Sequence, residues 1–401
     1  MAYVSHRSRV TRRVLVSLSV LTLAACAAAP PREAPLPREL ADQATVLGRS
    51  DLRQWGDARP ESQGEFEAAS EQQLRAEYAG VMNRDHYYLA LSGGGENGAF
   101  TAGLLAGWTA AGNRPEFTIV TGISTGALIA PFAFLGSRYD ADIKAVYTGY
   151  AMEDLVKRRS LLNVIRNDAV ADSTPMQAVI ERYLTPEVVG RIAYEYRKGR
   201  QLFIGTTNLD ASRPVMWDIG RIAASAQPGA VELIRKIMLA SASIPIALPP
   251  VVFEVEAGGR RYQELHVDGG VTEQVFLYPV QLNWKDVLAK LKVRHPATAY
   301  IIRNGYLEPD WETVERKLPA LGDRTISSLI RTQGIGDLFR MYYTTRRDGL
   351  EYRLAYIPQS FAKDMEKRAG LDYMRRLYDF AFTQAKAGYP WEAAPPGIAG
   401  R

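Results

Sequence analysis

The stretch LALSGGGENGAF, residues 89–100, places three consecutive glycines directly after an apolar run. The run YYLALS that leads into it predicts a β-strand, and a helix is predicted over 98–111. Glycines between a strand and a helix let backbone N–H groups converge on an anion at the helix N-terminus. Three anions fit this pattern: a dinucleotide pyrophosphate, a nucleotide triphosphate and the oxyanion of a reacting ester.

The residues around the loop argue against the two nucleotides. Gly93, Gly95 and Gly98 match the dinucleotide pattern G-x-G-x-x-G, but that pattern also needs an acid at the end of the second strand to hold the ribose. The second strand is FTIVTGIS, residues 117–124, and it ends without an acid. A triphosphate loop needs Lys and Ser or Thr after its last glycine, where this chain has Ala and Phe.

The second strand ends instead in GISTG, residues 122–126, the G-x-S-x-G pattern of a nucleophile elbow. Gly122 and Gly126 let the turn tighten until the Ser124 hydroxyl projects clear of its neighbours. A helix predicted over 125–135 points its first N–H groups at the same spot. Because adjacent parallel strands end at one edge of a sheet, the glycine loop is expected to donate N–H groups to the oxyanion formed when Ser124 attacks an ester.

A serine nucleophile needs a group that accepts its proton. His86 and His295 each precede a predicted strand, so they are expected at the opposite sheet edge as packing or surface residues. His266, two residues before Asp268 in the stretch HVDGG, is a candidate base or orienting neighbour.

Asp268 is the other candidate, since it ends its strand and is followed by Gly269 and Gly270. Two glycines after an acid permit an abrupt turn that presents the carboxylate at the sheet edge. The alternative for this residue is an Asp-Gly turn that holds only its own backbone.

The rest of the chain alternates strand-like and helical patterns, which is typical of an α/β sandwich with a mostly parallel sheet. Further strands are predicted at 201–209, 214–220, 297–305 and 352–358, with a hairpin at 251–267 that turns at Gly258 and Gly259. Helices are predicted at 65–79, 139–157, 174–183, 186–197, 231–240, 325–347 and 361–386.

Three motifs stand in the order GGGENG, GISTG and DGG, and ASASIPIALPPV at 240–251 precedes the last of them. In this order they resemble the patatin-like phospholipases, acyl hydrolases with a three-layer α/β/α sandwich that use a serine–aspartate dyad and no histidine. The resemblance covers about residues 87–280. It implies that Ser124 is the nucleophile and Asp268 the proton acceptor. It assigns the oxyanion hole to Gly93, Gly94, Gly95 and Gly98, and the turn after the acid to Gly269 and Gly270.

The chain departs from this family at one position of the glycine loop. Many relatives have Arg or Lys at the fifth position of the motif, where this chain has Asn97 after Glu96. A neutral amide removes a positive charge that attracts a phosphate head group. The change bears on the choice between phospholipid and neutral lipid, and leaves acyl transfer itself unaffected.

Residues 1–25 have the pattern of a secretory signal peptide. Four arginines precede an apolar run too short to span a membrane, and the segment leads into LAAC. This resembles the lipobox of a bacterial lipoprotein, in which Cys26 carries the lipid; an ordinary secretory signal is the alternative. Because the next residue is not Asp, the expected location is the outer membrane, facing the periplasm. Cys26 is the only cysteine, which excludes a disulfide framework and any multi-cysteine metal site.

The formal charge of +5 comes mostly from the signal peptide, because removing its four arginines and no acids leaves about +1. Nucleic acid is therefore not expected as a partner. After the signal peptide, the sequence predicts a tether and polar segment over 26–85, in which 27–40 is extended. A catalytic core follows over 86–280, and a C-terminal α/β extension over 281–401 completes the domain.

The residues and the resemblance together predict a carboxylic ester hydrolase of the phospholipase A or lysophospholipase type, with no metal or organic cofactor. Its expected substrates are membrane lipids or other fatty acyl esters. Two apolar stretches, 127–136 and 244–253, are candidates for an acyl groove, although both also suit ordinary core. The basic and aromatic stretch 329–347 suits a membrane-facing surface or a solvated helix face.

Two other interpretations stay open at this stage. In the first, His266 or His295 assists Ser124 in a three-member relay, which would make the protein a small-ester esterase. In the second, the protein is a non-catalytic lipoprotein that uses the same fold as a binding or scaffolding module.

Overall fold

The glycine loop joins a central β-strand to a buried helix within a large mixed sheet. A computed structural model describes residues 32–158, 169–309, 311–362 and 369–398 of the chain. The predicted signal peptide over 1–25 and the predicted lipidation site Cys26 lie outside the described residues. The lipid anchor and the location in the bacterial envelope therefore stay predictions.

Strands and helices alternate along the described chain. The strands are β1 (Arg53–Trp55), β2 (Tyr87–Leu91), β3 (Ile119–Ile123), β4 (Lys157–Arg158), β5 (Ala171–Asp172), β6 (Gln201–Asn208), β7 (Arg213–Asp218), β8 (Val251–Ala257), β9 (Arg260–Asp268), β10 (Thr298–Arg303) and β11 (Glu351–Tyr356). The helices are α1 (Ser62–Ala68), α2 (Glu71–Tyr78), α3 (Gly98–Ala110), α4 (Thr125–Leu135), α5 (Asp140–Gly149), α6 (Met152–Leu155), α7 (Thr174–Tyr183), α8 (Pro186–Tyr196), α9 (Ile219–Ala224), α10 (Ala230–Ser241), α11 (Trp284–Lys290), α12 (Leu318–Asp348), α13 (Gln359–Ala362) and α14 (Gly370–Lys386). Short 3₁₀ helices occupy Arg38–Gln43, Gly95–Asn97, Ser137–Tyr139 and Gly269–Val271.

The main sheet has the order β1–β7–β6–β3–β2–β10–β11, and the β8–β9 hairpin attaches to β6. The five strands from β6 to β11 in this order run parallel, whereas β7 and β9 are antiparallel to β6. Leu91 pairs with Gly122, so the carboxyl ends of β2 and β3 lie side by side. The predicted α/β sandwich with a mostly parallel sheet is confirmed, and its topology places the glycine loop beside the GISTG turn.

Apolar side chains cover both faces of the sheet. One face packs against α3, α4 and α14, and the other packs against α12. The strand β3 is buried along its whole length and β2 along nearly all of it, as is typical of parallel strands between two helical layers. In α3, Gly103 and Gly107 let α14 approach closely, because a Cβ on either residue would overlap a backbone carbonyl of α14. This packing buries α3 and holds the loop at its N-terminus.

The N-terminal segment differs from the predicted tether wherever it is described. Arg32 pairs with Asp210 at 2.7 Å, and the amide of Leu36 donates to the carbonyl of Gln263. Further along, β1 adds to the sheet as an antiparallel neighbour of β7, and Leu52 is fully buried. Residues 32–55 therefore pack against the sheet edge and the β8–β9 hairpin instead of extending away from the body.

Several predicted helices and strands end earlier than expected. The helix predicted at 65–79 is split into α1 and α2, because Ser70 has an extended backbone and forms a capping box with Gln73. The helix predicted at 139–157 is split into α5 and α6 by an extended backbone at residues 150–151. The strand predicted at 214–220 ends at Asp218, whose side chain caps α9.

Other differences concern the C-terminal part. The helix predicted at 325–347 begins earlier, at Leu318. The helix predicted at 361–386 corresponds to α13 and α14, with residues 363–368 outside the described part of the chain. Neither α9 nor α11 has a counterpart among the predicted elements, because each is a short helix of six or seven residues with little periodicity to read.

Candidate active site

Ser124 lies on a sharp turn between β3 and α4 and is nearly buried. Its φ of 54° and ψ of −124° are rare for a residue other than glycine, and such a backbone costs about 1–3 kcal/mol. Gly122 and Gly126 make the turn possible. A Cβ on Gly122 would lie 2.5 Å from the carbonyl oxygen of Gly126, and a Cβ on Gly126 would overlap the carbonyl of Leu91. The turn therefore has the tight packing that a nucleophile elbow needs.

The Ser241 hydroxyl holds the strained turn in place. It accepts a hydrogen bond from the backbone amide of Ser124 at 3.0 Å and donates one to the carbonyl of Gly205 at 2.6 Å. Ser241 is fully buried at the end of α10. The motif ASASIPIALPPV, to which this serine belongs, is evident in the sequence, but its pattern does not indicate a role for Ser241. Its role is to tie the elbow to β6, the neighbouring strand.

Asp268 ends β9 beside the elbow, and the Ser124 side chain lies close enough to its carboxylate to lower the pKa of Asp268. The Oδ1 atom of Asp268 also accepts from the amide of Gly270 at 2.7 Å. Gly269 must lack a side chain, because a Cβ there would lie 2.6 Å from the carbonyl oxygen of Gly205. The structure thus brings together the two predicted catalytic side chains, which are separated by 144 positions in the sequence.

Burial raises the pKa of Asp268 to about 6, and the nearby Ser124 side chain and the hydrogen bond from the Gly270 amide oppose part of this rise. A carboxylate with a higher pKa is a stronger base, which favours removal of a proton from the serine hydroxyl. The desolvation required for such a base is therefore present at this position.

The glycine loop lies next to Ser124, but only some of its backbone amides are free to donate a hydrogen bond to a substrate. A Cβ on Gly93 would lie 3.7 Å from the Ser124 Oγ, which shows how closely the loop approaches. The amide of Gly93 donates to the carbonyl of Gln274 at 3.1 Å, and the amide of Gly98 donates within the 3₁₀ turn. In the described part of the chain, the amides of Gly94 and Gly95 do not donate a hydrogen bond to any backbone carbonyl. The assignment of the oxyanion hole to Gly93, Gly94, Gly95 and Gly98 stays a prediction, and among these four the amides of Gly94 and Gly95 are the candidates not engaged by a backbone carbonyl of the described residues.

Gly98 has a packing role instead. A Cβ at this position would overlap the side chains of Thr125 and Tyr147. The absence of a side chain lets the N-terminus of α3 lie directly against that of α4, where Ser124 stands.

Two residues with buried amide side chains, neither of them predicted from the sequence, brace the loop. Asn304 donates from its backbone to the Ser92 hydroxyl at 2.8 Å and from its side chain to the Ser92 carbonyl at 3.0 Å. Gln274 donates to the carbonyl of Gly270 at 2.7 Å and thereby links the glycine loop to the turn after the acid. A sequence signal existed for Asn304, since it directly follows a strand that ends at the same sheet edge.

None of the three described histidines shares a hydrogen bond with Ser124 or Asp268. His266 is fully buried, with Nδ1 2.9 Å from the Thr206 hydroxyl and Nε2 3.2 Å from Glu264, so both ring nitrogens are engaged. His86 is buried against the carbonyl of Val81, and His295 is exposed beside an aspartate. Both precede strands at the opposite sheet edge, as predicted.

Asn97, the position at which the chain departs from the resemblance, is held by α14. Its Oδ1 accepts a hydrogen bond from the Tyr373 hydroxyl at 2.5 Å. The adjacent Glu96 accepts from the backbone amides of Met152 and Gly370. These contacts fix the outer side of the glycine loop, and neither side chain places a positive charge there.

The described residues lack two further features, a metal-binding cluster and a membrane-spanning helix. They contain no cluster of three or more His, Cys, Asp or Glu side chains arranged to hold a metal ion. They also contain no helix with the length and apolar character needed to cross a membrane.

Comparisons with known proteins were made for the sequence and for the fold. Residues 89–280 match the family model described as patatin-like phospholipase. No curated protein matches the sequence. Among solved structures, the crystal structure of VipD from Legionella pneumophila is similar, with a TM-score of 0.39 and 12% sequence identity. The alignment covers 76% of this chain and 66% of that one, so the chain spans about two thirds of that structure's length.

Proposed function

We propose that this protein is a serine acyl hydrolase that cleaves fatty acyl esters through an acyl-enzyme on Ser124. The match of residues 89–280 to the patatin-like phospholipase family model supports a lipid hydrolase. One observation carries the proposal: a serine on a strained elbow lies beside a buried carboxylate, that of Asp268, and its side chain lowers the pKa of that acid. A structural serine has no need of a costly backbone conformation or of a desolvated acid as its partner.

The proposed reaction begins with proton transfer from the Ser124 hydroxyl to Asp268 while Oγ attacks the ester carbonyl carbon. The carbonyl oxygen becomes an oxyanion, which the amides of Gly94 and Gly95 stabilise. Collapse of this intermediate breaks the bond to the alcohol, and Asp268 returns its proton to the leaving oxygen. Water then loses a proton to Asp268 and attacks the acyl-enzyme, which releases the fatty acid and restores the serine hydroxyl.

Labelling with a fluorophosphonate probe tests the nucleophile directly. We expect the wild-type protein to be labelled covalently and Ser124→Ala to be unlabelled, because the probe reacts only with an activated serine. The matched control is Ser137→Ala, which removes an exposed serine just beyond the far end of α4 and should leave labelling unchanged. A wild-type protein that neither reacts with the probe nor hydrolyses any ester would support the non-catalytic alternative.

The pH dependence of hydrolysis tests the base. With the pKa of Asp268 raised to about 6 by burial, kcat/KM should be constant above about pH 7 and fall as the pH drops through 6. The sign follows from the chemistry, because only the ionised carboxylate accepts the serine proton. Initial rates on a soluble nitrophenyl ester between pH 4 and 9 measure this fall in kcat/KM, the acidic limb of the pH–rate profile.

A second buried acid nearby needs its own control. Burial raises the pKa of Glu273 to about 7, and the side chain pairs with Arg340. The variant Glu273→Gln should still show the fall in kcat/KM near pH 6. A limb that disappears in this variant would assign the titration to Glu273 and contradict the proposed base.

A further inference from the structure

The segment that follows Ser241 is apolar and exposed next to the proposed dyad. Residues 240–251 contain no ionisable side chain, and Ile246 is 66% exposed. The two stretches named as candidate acyl grooves therefore differ in exposure. Residues 127–136 are mostly buried in α4, whereas residues 244–247 lie at the surface. An isoleucine this exposed does not contribute to the hydrophobic core.

Backbone contacts connect this segment directly to the dyad. Ser241 binds the amide of Ser124, and two residues later the carbonyl of Ser243 accepts from the amide of Asp268 at 2.9 Å. On the other side of the acid, Val271 lies three residues after Asp268 and is also exposed. Exposed apolar side chains thus stand on both segments that hold the dyad.

Ile246 is held in an unfavourable conformation. Its φ of 72° lies in the left-handed region, where a β-branched residue is an outlier. The carbonyl of Ile246 accepts from the amide of Val170 at 2.9 Å, and the next carbonyl accepts from Ala171 at 3.0 Å. Val170 is itself exposed. Glycine or asparagine would adopt this backbone with less strain, so a strained isoleucine with an exposed side chain points to a use for that side chain.

We infer that Val170, Ile246 and Val271 form an acyl rim, a surface that contacts the fatty acyl chain of one substrate molecule at the mouth of the site. The inference rests on the proposed function. The occupant follows from the chemistry and the position: residues 240–251 have no ionisable side chain, which suits a hydrocarbon chain, and this segment continues from Ser241 and Ser243, which bind the backbones of Ser124 and Asp268. A polar head group finds no partner on this segment.

The test compares short and long acyl chains on the variant Ile246→Asn. Asparagine tolerates the left-handed backbone, so the variant removes the apolar side chain without adding strain. The substrates are nitrophenyl butanoate and nitrophenyl decanoate, each kept below the concentration at which it aggregates. We expect kcat/KM for decanoate to fall about 10-fold, because a side chain that contacts the distal chain is lost. The value for butanoate should change less than about twofold.

Two further variants complete the test. Ile246→Gly should lose decanoate activity like Ile246→Asn, which separates loss of the side chain from a change in the backbone. Tyr194→Asn removes a side chain of similar exposure, 59%, near the end of α8 and should affect neither ester.

The outcomes distinguish the inference from the proposed function. Equal losses for both esters, or no loss for decanoate, would overturn the acyl rim. The proposed function would still be supported as long as the wild-type protein hydrolyses butanoate. A loss seen only on phosphatidylcholine vesicles and not on monomeric decanoate would assign the surface to a lipid aggregate and reject a single acyl chain. A wild-type protein inert toward both esters would refute the proposed function, and the acyl rim with it.

Discussion

Replacing Asp268 by asparagine is expected to lower kcat for ester hydrolysis by about 10³-fold or more, while the protein remains fully folded. Asparagine keeps the shape of the side chain and its Oδ1 still accepts from the amide of Gly270, so the turn is preserved. It cannot take the proton of the Ser124 hydroxyl, and attack on the ester loses its base. Initial rates at pH 8, where the wild-type carboxylate is ionised, measure the loss.

The same substitution should leave stability unchanged or raise it, because burial raises the pKa of Asp268 to about 6. An acid whose pKa is higher in the folded state binds its proton more tightly there, so stability falls as the pH rises from about 4 to 6. At neutral pH the buried charge then costs on the order of 3 kcal/mol, which asparagine does not incur. Thermal unfolding at pH 8 should therefore show a melting temperature no lower than that of the wild type.

His266→Ala is the comparison that separates the two candidate bases. Both ring nitrogens of His266 are engaged by Thr206 and Glu264, and Glu264 also pairs with Arg53. We expect the variant to be less stable, because it leaves a buried ionic network incomplete, and to retain most of its activity per folded molecule. Complete loss in folded His266→Ala would favour histidine as the base, and substantial activity in Asp268→Asn would contradict Asp268 as the base.

The three parts of the site could be predicted because each is encoded in a short stretch at the end of a strand. GISTG, the glycine loop and DGG each carry the glycines that their turns require, and those are local properties of the sequence. Their meeting point also followed from a general rule, since the carboxyl ends of adjacent parallel strands share one edge of a sheet. The acid reaches this edge from an antiparallel strand, β9, which pairs with β6.

The parts that escaped prediction depend on contacts between residues far apart in the sequence. Ser241 binds the amide of Ser124 across 117 positions, and Asn304 reaches Ser92 across 212. No spacing or periodicity marks such a residue, because its role depends on where the completed sheet places it. The three-residue strand β1 escaped for the same reason: its only signal is its pairing with β7. Local patterns identified the candidate residues, and tertiary contacts determine how those residues are held.

Replacing Gly94 by alanine should lower kcat by about 10²–10³-fold with little change in KM. A Cβ at this position would overlap the carbonyl oxygen of Asn304 and lie 2.6 Å from its Cβ. Asn304 cannot yield easily, since it is buried and holds Ser92 through two hydrogen bonds. The loop must move instead, which carries the amides of Gly94 and Gly95 away from the oxyanion. Because the oxyanion exists only near the transition state, the loss falls on kcat.

Gly64→Ala provides the control for the added methyl group. Gly64 lies within α1 with nothing near its missing Cβ, so alanine there should leave kcat unchanged and raise helix stability slightly. The two alanine variants should then differ by two orders of magnitude or more in kcat on the same ester. If Gly94→Ala instead turns over within a few-fold of the wild type, the oxyanion donors lie elsewhere. The first-turn amide of Thr125, directly after the nucleophile, would then be the group to examine.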